Sequence, residues 1–238
     1  MTGKVLRAGI LAAGRGERLR RGSSELKPLV RVGGETLIER ILKAMADAGA
    51  KEIVAIINAD SEAVRDHVAK TKWPFALSWI VESTPSSMHS FLRIIEFLAA
   101  DNNEGPFLLS TVDTVAAPGV YADFIDRARA NPAAITLALT SPGDDEKPLL
   151  VRLHEGRSRV AAFGEGDWAT AGIYAVRPVI LREAESARRD GIDALRKFLG
   201  RLLDRGYELE GIPIPRSIDV DHPADIDTAE DFLRSLQT

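Results

Sequence analysis

Over its first two-thirds the chain alternates short β-branched runs with amphipathic stretches, and few folds accommodate that rhythm. A strand that pairs parallel to an earlier one needs a long crossover, usually a helix. The pattern therefore predicts a mostly parallel sheet covered by helices. Strands are expected over residues 5–12, 52–58, 77–81 and 107–112. The last of these is an unbroken apolar run bounded by Gly105-Pro106 and Asp113, which fits a strand buried on both faces. A helix is expected to open at Thr36. Glu39 completes a capping box there, and Leu37, Ile38, Ile41, Leu42 and Met45 form one apolar stripe. Further helices are expected over 61–70 and 87–100. Beyond Pro118 the rhythm loosens to helices over 121–130, 178–189 and 192–205, a hairpin over 149–163 turning at Glu155-Gly156, and strands over 134–140 and 170–176. Short extended pieces over 208–214 and 218–221 then precede a last helix from Pro223.

Composition narrows the function classes. At 238 residues, 45% hydrophobic and 28% charged, the chain suits one large α/β domain. No linker divides it, and residues 141–146 read as an exposed loop. The absence of cysteine excludes disulfides, cysteine metal sites and thiol catalysis. A net charge of −4 argues against a nucleic-acid partner. No apolar run reaches the roughly 18 residues that span a bilayer. The N-terminus leads straight into a strand, so a soluble, cytoplasmic protein is expected, with no membrane partner.

The strongest local signal is Leu11-Ala12-Ala13-Gly14-Arg15-Gly16-Glu17-Arg18, at the end of the first strand. Its two glycines let backbone N–H groups approach an anion. Arg15, Arg18, Arg20, Arg21, Lys27 and Arg31 surround only Glu17 and Glu25, a local basic excess suited to a polyphosphate. The spacing is neither the dinucleotide-binding Gly-x-Gly-x-x-Gly nor a Walker A loop. A Gly-x-Gly loop by itself also fits a turn with solvated arginines, the reading that suits Arg20 and Arg21.

Taken with Leu26-Lys27-Pro28-Leu29, this loop resembles the signature of the nucleoside-triphosphate transferase family. That family includes sugar-phosphate and alcohol-phosphate nucleotidylyltransferases and molybdopterin guanylyltransferases. Its usual form is Leu-Ala-Ala-Gly-x-Gly-x-Arg followed by Pro-Lys-Pro, and Leu26 stands here for the first Pro. Later segments follow the family's order. Residues 82–90 lie at its base-recognition loop and Ser110-Thr111-Val112-Asp113 at its metal-binding Asp. Thr170-Ala171-Gly172-Ile173-Tyr174 resembles its acceptor segment, and residues 218–225 resemble its closing motif.

The resemblance implies a single-domain Rossmann-like three-layer α/β/α fold with a mixed, mostly parallel sheet. Residues to about 115 would form the nucleotide half and residues 116–238 the acceptor half. It implies transfer of an NMP group from an NTP to a phosphorylated sugar or alcohol, with loss of pyrophosphate. Such chemistry leans on positioning and electrostatics, because the attacking phosphate oxygen is already anionic. Arg18 and Lys27 are the expected catalytic cations. Leu11, Ala12, Ala13, Gly14, Arg15, Gly16, Ser86 and Ser87 would bind nucleotide, and Thr170, Gly172 and His89 the acceptor. Asp113 and Asp219 would hold Mg²⁺, with Asp221 competing for the second place. His222 is expected to cap the last helix. The alternatives are a molybdopterin guanylyltransferase-like enzyme and a non-catalytic nucleotide sensor. A monomer or a homodimer fits equally.

Overall fold

In the computed structural model, residues 5–14, 16–19, 25–143 and 148–236 are described. Along the chain run β1 (Leu6–Ala12), β2 (Arg31–Val32), β3 (Glu35–Thr36), α1 (Leu37–Asp47), β4 (Ala50–Ile57), α2 (Glu62–Val68) and β5 (Ala76–Val81). Next come α3 (Ser87–Leu98), β6 (Phe107–Thr111), β7 (Thr114–Ala116), α4 (Val120–Arg129), β8 (Ile135–Thr140), β9 (Leu150–Leu153) and β10 (Val160–Phe163). The chain closes with β11 (Trp168–Val176), α5 (Ala184–Arg189), α6 (Leu195–Asp204), β12 (Leu209–Pro213), β13 (Ser217–Asp219) and α7 (Pro223–Ser235).

Nine of these strands form one sheet in the order β10-β9-β11-β6-β1-β4-β5, with β8 and β12 branching from β11. The β1, β4, β5 and β6 strands run parallel, β11 runs antiparallel to β6, and β12 pairs parallel with β8. The sheet is therefore mixed and mostly parallel in its first half, as the alternating pattern requires. Period-two alternation sends successive side chains to opposite faces. Ile53, Ala55 and Ile57 of β4 join one core with α1, α4 and α7, while Val54 and Ile56 join the other with α3 and α6. Both faces are covered by helices, giving three layers.

Local signals account for several boundaries. The Thr36 side chain accepts a hydrogen bond from the Glu39 N–H, and a Glu39 carboxylate oxygen accepts one from the Thr36 N–H. Gly49, at φ +87°, follows the end of α1. The expected helix at 178–189 begins as a 3₁₀ segment, Pro178–Glu183, before α5. The two-stranded ribbons β2–β3 and β7–β13 were not expected from the sequence, and their two- and three-residue strands are too short to show alternation. Part of the loop expected over 141–146 lies outside the described residues.

The strand order reverses direction of growth at β1. From there the chain builds outward to β4 and β5, then returns to place β6 on the other side of β1. In open α/β sheets, a crevice forms at the carboxyl ends of the strands flanking such a point. Here those ends are Ala12 and Thr111, and the loops that follow carry the glycines and Asp113.

Candidate active site

A cleft of about 600 Å³ opens at that point. The first loop supplies Leu11, Ala13, Gly14, Gly16 and Arg18 to its wall, and the loop before α3 supplies Ser86 and Ser87. Lys27, Asp113 and Asp221 close one side. Ala12, expected to bind nucleotide, does not line the cleft. It is the last residue of β1 and is buried in the core, because alternation turns its methyl away from the loop. Arg15, Arg20 and Arg21 lie outside the described residues.

At the centre, the Lys27 Nζ donates to Asp113 Oδ2 at 2.6 Å and to Asp221 Oδ1 at 2.5 Å. The Lys27 side chain is only 7% exposed. Burial alone would lower its pKa, but the charges and hydrogen bonds of Asp113 and Asp221 outweigh it and hold the ammonium above its ordinary value. Asp221 is opposed by burial too, yet the Lys27 contact and the nearby Arg18 guanidinium hold its carboxyl below the usual range. An Arg18 nitrogen stands 3.4 Å from the second Asp221 oxygen, and that arginine is half exposed at the rim.

Three backbone devices set this cluster. Lys27 starts a 3₁₀ turn, Lys27–Leu29, whose Leu29 N–H donates to Leu26 O, so Leu26 serves where the family motif has Pro. Gly16 has φ +61°, and a Cβ there would sit 2.7 Å from Lys27 Cβ, so only a residue without a side chain lets the loop run this close to the lysine stem. A side chain at Gly16 would strain the backbone and displace that stem. Gly16→Ala is expected to lower turnover about tenfold or more, because strain at such positions costs of order 1–3 kcal/mol. Steady-state rates measured beside thermal melts check this, since the rate is expected to fall together with a drop of several degrees in melting temperature. The third device is the Asp225 carboxylate. It accepts from the N–H groups of both Asp221 and His222, fixing the turn that aims Asp221 at the cleft. Pro223 opens α7, with His222 at its N-cap position, as expected.

Asp219 and Asp221 have different partners in the structure. The carboxylate that meets Asp113 across one cation is Asp221, whereas Asp219 ends β13 and accepts a hydrogen bond from Thr114 Oγ1 at 3.2 Å. Burial, then the charges of Asp113 and Asp221, push the Asp219 carboxyl up to about 7. Both carboxylate positions are tied together by the β7–β13 ribbon and by a bond from Val220 N–H to Asp113 O.

The acceptor residues separate. Thr170 lines a second pocket of about 180 Å³ with Arg216, Asp219, His222 and Thr228, and this pocket shares Asp221 with the main cleft. Gly172 lines neither. It sits at an irregularity of β11 with φ +70°, and a Cβ there would come within 2.4 Å of the hydroxyls of both Thr111 and Thr114. Those two hydroxyls leave no room for a side chain at this position. His89 does not line the cleft either. Its Nδ1 lies 2.9 Å from Ser86 Oγ, on the loop that does, so it braces that loop.

Asn58 escaped the sequence reading, and the loop before α3 has ties that only the structure shows. Asn58 follows β4 at its carboxyl end, lines the cleft and donates from Nδ2 to Ala13 O at 2.6 Å. A polar residue directly after an apolar strand was the available signal. Thr84 pairs with Ser90 through their hydroxyls. Ser87 Oγ accepts from Leu195 N–H, tying the start of α6 to the start of α3.

Comparisons with known proteins show the family. The family model described as MobA-like NTP transferase domain matches residues 8–197, and the chain belongs to that family. It is 29% identical over 213 residues to the CMP-5'-(3-aminopropyl)phosphonate synthase of Streptomyces rubellomurinus, covering 85% of this chain and 32% of that protein. It is 28% identical over 243 aligned positions to the bifunctional IPC transferase and DIPP synthase of Rubrobacter xylanophilus, covering 95% of this chain and 51% of that protein. The chain thus spans a third to a half of the length of these curated relatives. Among solved structures, the inositol-1-phosphate CTP transferase from T. maritima superposes with a TM-score of 0.77 at 18% identity, covering 98% of this chain and 99% of that one. The nucleoside-diphosphate-sugar pyrophosphorylase from Vibrio cholerae superposes with a TM-score of 0.70 at 16% identity, covering 94% and 99%. These likenesses establish the fold as that of the nucleotide-diphospho-sugar transferases.

Proposed function

We propose that this chain is a nucleotidylyltransferase, transferring the NMP group of an NTP to a phosphorylated sugar or alcohol and releasing pyrophosphate. The observation that carries the reading is the convergence of Lys27, Asp113 and Asp221, with Arg18 at the rim, on a cleft walled by the glycine-rich loop. Family membership and the relatives' printed activities support it.

An oxygen of the acceptor phosphate attacks the α-phosphorus, and the bond from that phosphorus to the bridging oxygen of the β-phosphate breaks. No strong general base is needed. The protein's work is to bring two anions together and to meet the charge that gathers on the departing pyrophosphate. Gly14 and Gly16 let the loop backbone approach the triphosphate, Arg18 reaches it from the rim, and Lys27 neutralises phosphate oxygens from the floor. The Ser86–Ser87 loop takes the base. The pocket lined by Thr170 takes the acceptor, with Asp221 at the boundary between the two.

Two aspartate oxygens already converge within 2.6 Å of one cationic nitrogen, a hard, anionic donor pair of the kind Mg²⁺ uses beside phosphates. Asp113 and Asp221 are therefore the proposed holders of Mg²⁺, in place of the Asp113–Asp219 pair expected from the sequence. Bound there with the triphosphate, the ion supplies Lewis-acid charge neutralisation. Among the described residues, no helix is long and apolar enough to cross a membrane. A cytoplasmic location, close to the NTP supply, accords with the reading.

The test is pyrophosphate release with CTP, UTP, GTP and ATP against a panel of phosphorylated acceptors, preceded by thermal-shift screening of the nucleotides with Mg²⁺. CTP comes first, because a CMP-phosphonate synthase and a CTP transferase are among the similar proteins. Release that depends on one nucleotide and one acceptor class is expected. Tight nucleotide binding with no turnover on any acceptor would point instead to a sensor.

A further inference from the structure

We propose that Lys27 is the resident cation of the metal position, and that a divalent ion gains its two carboxylates only when the triphosphate draws Lys27 away. The inference rests on the assignment of Asp113 and Asp221 as the ion's ligands. It goes further by making ion binding conditional on nucleotide.

The geometry sets up a competition. The Lys27 ammonium touches one oxygen of each aspartate, at 2.6 and 2.5 Å. A Mg²⁺ ion needs oxygens at about 2.0–2.1 Å and would draw on the same atoms. An ammonium and a dication cannot share that space, because like charges at such separation repel strongly where solvent is excluded. Arg18 adds a second positive charge at the other Asp221 oxygen. The two carboxylates are thus met by two cations before any ion arrives. An incoming divalent ion has to break two short charge-assisted bonds.

A triphosphate changes the balance. Lys27 and Arg18 both line the cleft in which it would lie, and its oxygens offer them new partners. Each bond they make to phosphate loosens their hold on Asp113 and Asp221. Nucleotide and ion then favour each other's binding, and that coupling is reciprocal. The buried lysine stem runs close beside Gly16, so the expected movement is in the outer part of the side chain.

The experiment measures Mn²⁺ binding without nucleotide, by calorimetry and by loss of the free-ion electron-resonance signal. Lys27→Met keeps most of the stem and removes the charge. It is expected to bind Mn²⁺ at least tenfold more tightly than the wild type. Its melting temperature is expected to be lower in chelator, where Asp113 has lost the ammonium and Asp221 keeps only Arg18, and to rise more steeply with Mn²⁺. Arg18→Met, at a half-exposed position on the rim, is expected to tighten Mn²⁺ binding by a few-fold. It decides the matter should Lys27→Met not fold.

Equal or weaker Mn²⁺ binding in these variants would overturn the inference. If Asp113→Asn still abolished that binding, the metal assignment would stand without the gate. Should Mn²⁺ bind none of these proteins, with pyrophosphate release indifferent to divalent ions, the metal assignment itself would fail.

Discussion

Asp113→Asn is expected to slow pyrophosphate release at saturating substrates by a hundredfold or more. That is about 3 kcal/mol, the usual scale for removing one preorganised electrostatic contact from a transition state. The substitution is nearly isosteric and removes one negative charge. Asp113 follows β6, where the sheet delivers side chains to the crevice, and its carboxylate is one of two that converge on Lys27. Its backbone carbonyl, which accepts from Val220 N–H, is untouched, so the β7–β13 ribbon stays in place. Lys27 keeps Asp221 as a partner, so no buried cation is left unpaired. The rate is therefore expected to collapse while the melting temperature moves by only a few degrees. Comparing the two separates a functional carboxylate from a structural one, and an unchanged rate would remove Asp113 from the site.

The second large effect distinguishes two neighbouring aspartates. Asp221→Asn is expected to resemble Asp113→Asn, losing about a hundredfold in turnover and requiring far more divalent ion for half-maximal rate. Asp219→Asn is expected to keep turnover within about tenfold, because Asn still offers an oxygen to Thr114 and the residue lies toward the second pocket. Any change there is expected mainly in the acceptor KM. Titrating each variant with Mg²⁺ and with acceptor separates the two roles. The reverse ranking would restore Asp219 as the second ligand.

That pair also marks where the sequence stopped being readable. Residues two apart share a face in a strand, so spacing alone cannot choose between Asp219 and Asp221. What sets the two apart is that β13 ends at Asp219 and that the Asp225 carboxylate accepts from the N–H groups of Asp221 and His222, a local turn with no periodicity. Elements with long-range regularity were legible. The strand β1, the Thr36–Glu39 box, the buried β6 and the hairpin at Gly156 all follow from local pattern. Gly172 carries a related ambiguity. A glycine in a resembling acceptor segment suggests close approach to a ligand, whereas its missing side chain makes room for the hydroxyls of Thr111 and Thr114. Asn58 and Ser87 act by bonds to the backbone of distant segments, and such partners exist only once the sheet has formed.

The most direct measurement follows the label of α-³²P nucleotides incubated with Mg²⁺ and a panel of phosphorylated acceptors. Label is expected in a nucleoside-diphosphate-linked product, matched by an equal amount of unlabelled pyrophosphate, and both are expected to fall together in Asp113→Asn. Label that never leaves the free nucleotide pool with any of the four bases, or orthophosphate released in place of pyrophosphate, would contradict nucleotidyl transfer at this cleft.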